Sequence, residues 1–87
     1  MGGGLMYKVK VFVTLKESIL DPTGIATKDG LNKLGYKEVR EVRVGKVIYL
    51  DVDRTENIEE LVKEMCEKLL VNQVMENYTY EIEGRYS

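Results

Sequence analysis

From Tyr7 to Lys16 the chain alternates without a break: Tyr7, Val9, Val11, Val13 and Leu15 point one way, and Lys8, Lys10, Phe12, Thr14 and Lys16 the other. A sustained period of two marks a strand buried on one face, so the rest of the chain must supply a layer to cover that face. With 87 residues there is room for one such core and no second one. Phe12 interrupts the polar face and is the only Phe in a chain without Trp. It is a candidate for contact with another subunit.

The strand is followed by Ile19-Leu20-Asp21-Pro22-Thr23-Gly24. Asp21 suits an N-cap, because its carboxylate can accept from N–H groups of the first turn, and Pro22 suits the first helical position, where no N–H is needed. A helix is predicted from there, burying Ile25, Ala26, Leu31 and Leu34 and ending at Gly35 in the left-handed conformation. Gly24 and Gly30 each weaken that helix by about 1 kcal/mol relative to Ala. Something is therefore expected to pack close and compensate, or a neighbour to approach the backbone.

Two strands, Glu38 to Val44 and Val47 to Val52, are predicted to form a hairpin turning at Gly45-Lys46. In the second, Ile48, Leu50 and Val52 line one face, while Val47 and Tyr49 make the other partly apolar. Cover on both sides follows, by a helix on one and by another subunit on the other. In the first, Arg40, Val42 and Val44 leave the register open. A second helix starts at Asn57, an N-cap with Glu60 three residues on, and carries Ile58, Leu61, Val62, Met65, Cys66 and Leu69 on one face. Asn72 reads as its C-cap. In the last strand Tyr78, Tyr80 and Ile82 alternate with Thr79, Glu81 and Glu83.

The order β-α-β-β-α-β predicts an α+β, ferredoxin-like two-layer sandwich that oligomerises through its sheet. Residues 6–87 form the single domain, and residues 1–5 are read as a flexible leader, a cloning remnant or an alternative start. First and last strands are antiparallel neighbours in this topology, which sets Lys8 and Lys10 opposite Glu81 and Glu83. Such pairing accounts for the charge asymmetry: residues 1–46 hold nine Lys/Arg against five Asp/Glu, and residues 47–87 four against ten.

Composition excludes much chemistry. The chain has no His and a single Cys, so no imidazole base, no Ser-His or Cys-His pair and no thiolate or imidazole metal site can be assembled within it. Cys66 reads as a small core residue. Asp51 and Asp53 share a strand face but fall short of the six or so oxygens a hard cation needs. With disulfides and metal set aside, a domain this small is expected to gain stability by oligomerising. A net charge of −2 argues against a generic polyanion surface. No run approaches the length of a membrane span and no signal pattern opens the chain, which reads as cytoplasmic.

Three segments carry a resemblance: Ile19 to Gly24, Arg43-Val44-Gly45-Lys46, and the stretch from Lys68 to Tyr78. Their order and spacing resemble the PurS family, the small subunit of multi-subunit phosphoribosylformylglycinamidine synthase. Thr23 and Gln73 depart from the pattern, where relatives carry Gln and Pro. The resemblance implies a non-catalytic assembly subunit, with no cofactor of its own. It would serve an ATP-dependent C–N ligase that makes formylglycinamidine ribonucleotide with ammonia from glutamine. Its implied partners are a second copy of itself, as homodimer or homotetramer, a glutaminase subunit, and a large synthetase subunit that binds ATP and Mg. No nucleic acid and no membrane are expected.

Matched motifs make Asp21, Pro22, Gly24, Gly45, Lys46 and Asn72 the candidate subunit contacts, and two-faced apolarity makes Phe12, Val47 and Tyr49 the candidate self-association face. Asp21 is read first as a helix cap and only second as part of an anion site, because its own charge neutralises the helix end. The alternative function is an ACT-like small-molecule-binding regulatory domain, which shares the element order. An RNA-binding domain is disfavoured, since one Phe among lysines offers no ring pair for stacking bases.

Overall fold

The computed structural model describes residues 5–53 and 55–86. Strand β1 spans Leu5–Leu15, helix α1 Pro22–Lys33, strand β2 Gly45–Asp53 and helix α2 Ile58–Met65. A π-helical turn over Cys66–Leu70 and strand β3, Glu76–Tyr86, complete the order. The predicted leader lies outside the described residues except for Leu5, with which β1 begins.

β1 is the central strand of an antiparallel sheet ordered β2-β1-β3. The reason is in its alternation. Val9, Val11 and Val13 are at most 1% exposed, and they meet Val62 and Cys66 of the second helical segment and Val71 beyond it. Each buried valine contributes roughly 1.5 kcal/mol or more. Ile48, Leu50 and Val52 of β2 and Tyr78, Tyr80 and Ile82 of β3 extend this inner face, as their spacing predicts. On the outer face the register sets Lys8 opposite Asp51 and Glu83, and Lys10 opposite Tyr49 and Glu81. The expected Lys/Glu pairing of first and last strands is thus present, and Lys8 Nζ also reaches Asp51 Oδ1 at 2.8 Å.

α2 is followed directly by the π-helical turn, closed by the Val71 N–H donating to the Cys66 carbonyl at 2.9 Å. One extra residue per turn rotates the helix face. Leu70 and Val71 therefore reach the core, while Leu69, expected to be inside, is 84% exposed. Asn57 stands at the N-cap position of α2 as predicted, but its side chain makes no capping hydrogen bond.

The larger difference lies at residues 38–44. The α+β class and the ferredoxin-like layering of sheet and helix hold, but within one chain this segment is not a strand and Gly45-Lys46 is not a hairpin turn. Gly45 and Lys46 instead open β2, paired with Thr14 and Val13 of β1. Side chains hold the segment: the Val44 N–H donates to Asp21 at the start of α1, and the Arg43 side chain donates to the Leu15 and Lys16 carbonyls at the end of β1. α1 shares this excursion. Its start and stop are as predicted, with Gly35 at φ 108° and the Tyr36 N–H donating to the Leu31 carbonyl at 3.0 Å, a Schellman closure. Its predicted buried side does not materialise: Ile25 and Ala26 are exposed, Leu31 is half-buried and Leu34 is 76% exposed. Among the described residues no α1 side chain joins the core.

Candidate docking surface

The turn after β1 is organised by one carboxylate. Asp21, only 6% exposed, accepts from the Gly24 N–H through Oδ1 at 2.9 Å and from the Val44 N–H through Oδ2 at 2.8 Å. The first bond caps α1 and the second fastens the chain just before β2. These two N–H groups, Val44 first, hold the Asp21 carboxyl below its ordinary value against the opposing effect of burial, and the nearby Arg43 charge adds to the lowering. Pro22 takes the first helical position, as its missing N–H allows.

Gly24 is glycine for a reason visible only in the fold. The Val42 carbonyl lies in the space a Cβ would need, with Asp21 Oδ2 only 2.9 Å from it. The close neighbour expected for this helix is therefore present at Gly24, whereas Gly30 has nothing near it. Gly45 is similar, since a Cβ there would sit 2.6 Å from the Val13 carbonyl.

Around this turn lies an open cleft of about 390 Å³ lined by Glu17, Asp21, Lys28, Arg40, Glu41 and Arg43, with Ile19, Leu20, Ile25 and Val42 among its apolar walls. Arg43 is not among the residues singled out from sequence. Its Nη2 donates to the carbonyls of Leu15 at 3.1 Å and Lys16 at 2.9 Å. The only hint was its place in the Arg43-Val44-Gly45-Lys46 run.

Asn72 does not cap the helix, a place taken by Val71. It folds the turn into β3: its Oδ1 accepts from the Val74 N–H at 3.0 Å and its carbonyl accepts from the Glu76 N–H at 2.7 Å. The Lys16 N–H in turn donates to the Met75 carbonyl at 2.9 Å. Since Thr14 pairs with both Gly45 and Asn77, the Asp21 turn, the start of β2 and the Asn72 turn gather at one end of the sheet. The six candidate contacts thus belong to one region. Lys46 lies there on the helix side of the sheet, exposed.

The self-association candidates occupy a different place. Phe12 and Val47 are direct cross-strand partners on the outer face, and Tyr49, 73% exposed, lies two residues along. On the inner face a second apolar groove of about 410 Å³ runs beside α2, lined by Leu50, Leu61, Met65, Leu69 and Leu70. Neither face is closed within one chain. Among the described residues no group of three His, Cys, Asp or Glu is placed to hold a metal ion. The Cys66 thiol is buried, and burial pushes its pKa up.

The class so defined is a small ferredoxin-like α+β domain in which the turn after β1, the segment before β2 and the turn before β3 gather at one sheet end. The family model for PurS, phosphoribosylformylglycinamidine (FGAM) synthase, matches residues 8–84. The chain is 53% identical over 79 residues to the phosphoribosylformylglycinamidine synthase subunit PurS of Bacillus subtilis (strain 168), covering 90% of this chain and 94% of the relative. The solved structure of B. subtilis PurS superposes with a TM-score of 0.82 at 52% identity, covering 88% of this chain and 98% of that one. A chain in the structure of PurLQS from Thermotoga maritima gives 0.75 at 32% identity, with 92% and 98% covered. The chain belongs to the PurS family.

Proposed function

We propose that this chain is the non-catalytic assembly subunit of phosphoribosylformylglycinamidine synthase in purine biosynthesis, joining a glutaminase and an ATP- and Mg-dependent synthetase in the cytoplasm. The observation that carries this reading is family membership over nearly the whole chain, with a near relative named as that subunit. The likeness to a chain of PurLQS supports a place beside two other subunits. The surface agrees with the role: a bridge needs faces and rigid loops, and no acid, base or metal. Nothing in the comparisons favours the ACT-like sensor.

Bridging would begin from a self-associated form. Three observations support this: the exposed apolar side of α1, the groove beside α2, and the Phe12, Val47 and Tyr49 patch. A radius of gyration of 17.3 Å, against about 12 Å for a compact chain of this length, is the dimension of a chain that reaches out of its own core. A second copy would cover these faces and pair the free sheet edges, which are otherwise a liability. The contact loops at the sheet end would then face the other subunits and hold glutaminase and synthetase close enough for ammonia to pass.

The test is formation of formylglycinamidine ribonucleotide by the large and glutaminase subunits, with and without this chain, with ammonia as nitrogen source in a control. Dependence of glutamine-driven but not ammonia-driven turnover on the chain is expected. Indifference of both would end the reading.

A further inference from the structure

The Arg43-Val44-Gly45-Lys46 run does more than open β2. Arg43 Nη2 donates to the Leu15 and Lys16 carbonyls, the last of β1 and the first beyond it. Its neighbour Val44 donates to Asp21. Lys16, whose carbonyl Arg43 holds, donates in turn to the Met75 carbonyl. Three connections that are far apart in sequence, the 16–21 turn, the 40–44 segment and the 72–75 turn, are thereby bonded into one unit with Arg43 at the junction.

Each of these connections exposes an apolar side chain: Leu20 is 71% exposed, Val44 40% and Val74 80%. Exposed apolar groups on loops held by hydrogen bonds are the makings of a preorganised contact surface, which binds without first paying to order itself. Arg suits the junction, because a planar fork with several donors can serve two carbonyls at once and stays charged at any physiological pH.

We propose that Arg43 is a positioning residue for the glutamine-dependent reaction: it fixes the 40–44 segment to the end of β1 so that three loops meet a partner subunit as one preformed surface. This rests on the bridging function proposed above. Arg43 touches no substrate in this scheme and acts through the loops it holds.

The full chain carrying Arg43→Met or Arg43→Lys is titrated against the large and glutaminase subunits beside the unsubstituted chain. Glutamine-driven and ammonia-driven turnover are read, together with the melting midpoint and oligomeric state of each variant alone. Arg43→Met is expected to need roughly tenfold more protein for half-maximal glutamine-driven turnover, equivalent to about 1.4 kcal/mol, with melting and oligomeric state as in the unsubstituted chain. Arg43→Lys, which keeps a donor, is expected to fall between. An Arg43→Met titration that overlays the unsubstituted chain overturns the proposal. So does a loss that tracks a lower melting midpoint or a changed oligomeric state, because Arg43 then serves the fold. If the unsubstituted chain has no effect on glutamine-driven turnover, the bridging function itself fails, and the Arg43 role falls with it.

Discussion

The Val42 carbonyl stands over the α-carbon of Gly24, in the space a side chain would fill. This contact and the Asp21 bond to Val44 lock the 40–44 segment onto the first turn of α1. The glycine that weakens the helix as a propensity is what lets the excursion fold back on itself.

Gly24→Ala is therefore expected to destabilise the protein by about 1–3 kcal/mol, the usual cost of overpacking, although Ala is the better helix former. Gly30→Ala, with open space at its Cβ, should instead stabilise by up to about 1 kcal/mol. Urea melts of the two variants, read side by side, check the opposite signs.

Asp21 predicts a pH limb. Its folded-state pKa lies below the ordinary 3.8, so its stabilisation is fully present above that value and is lost as pH falls below it through the lowered folded value. Stability measured from pH 6 down to 2 should fall more steeply in the unsubstituted chain than in Asp21→Asn. Equal acid limbs would show that the carboxylate does not hold the segment.

Tyr49→Glu on the exposed outer face should leave the single-chain fold intact and weaken self-association. Light scattering over a micromolar dilution series should show a higher monomer fraction for the variant. If the unsubstituted chain is itself monomeric at micromolar concentration, the Phe12, Val47 and Tyr49 face is not an interface.

Cys66 is wholly buried, and burial holds its thiol protonated. Native protein at pH 8 should react with a thiol reagent far more slowly than protein in denaturant, at a rate set by opening of the core. Cys66→Ser, which buries a hydroxyl there, should cost roughly 1–3 kcal/mol.

Much of the architecture was legible in local patterns. Alternation identified Val9, Val11 and Val13 as core and set Lys8 and Lys10 across from Glu83 and Glu81. Asp21, Pro22 and Gly35 marked both ends of α1 correctly. That the Asp21 turn, the Gly45 pairing and the Asn72 turn share one end of the sheet was not written in any local pattern, and the last two are built differently from the hairpin and the cap expected there. The misreadings share a cause. A C-cap was expected at Asn72, but its side chain turns the chain forward into β3; Leu69 was counted on the core face, but a π-helical turn rotated it outward.

Strand alternation and helix caps are short-range properties, written within a few residues, and so the sequence by itself determined β1, β2, β3, the starts of both helices and the inner face of the sheet. Whether residues 38–44 add a strand, and whether α1 lies on its own sheet, are not short-range. They depend on whether Asp21 spends its second oxygen on Val44 and on the room that Gly24 leaves for Val42. Those choices are made between residues 18 and 23 positions apart, and only the tertiary structure decided them.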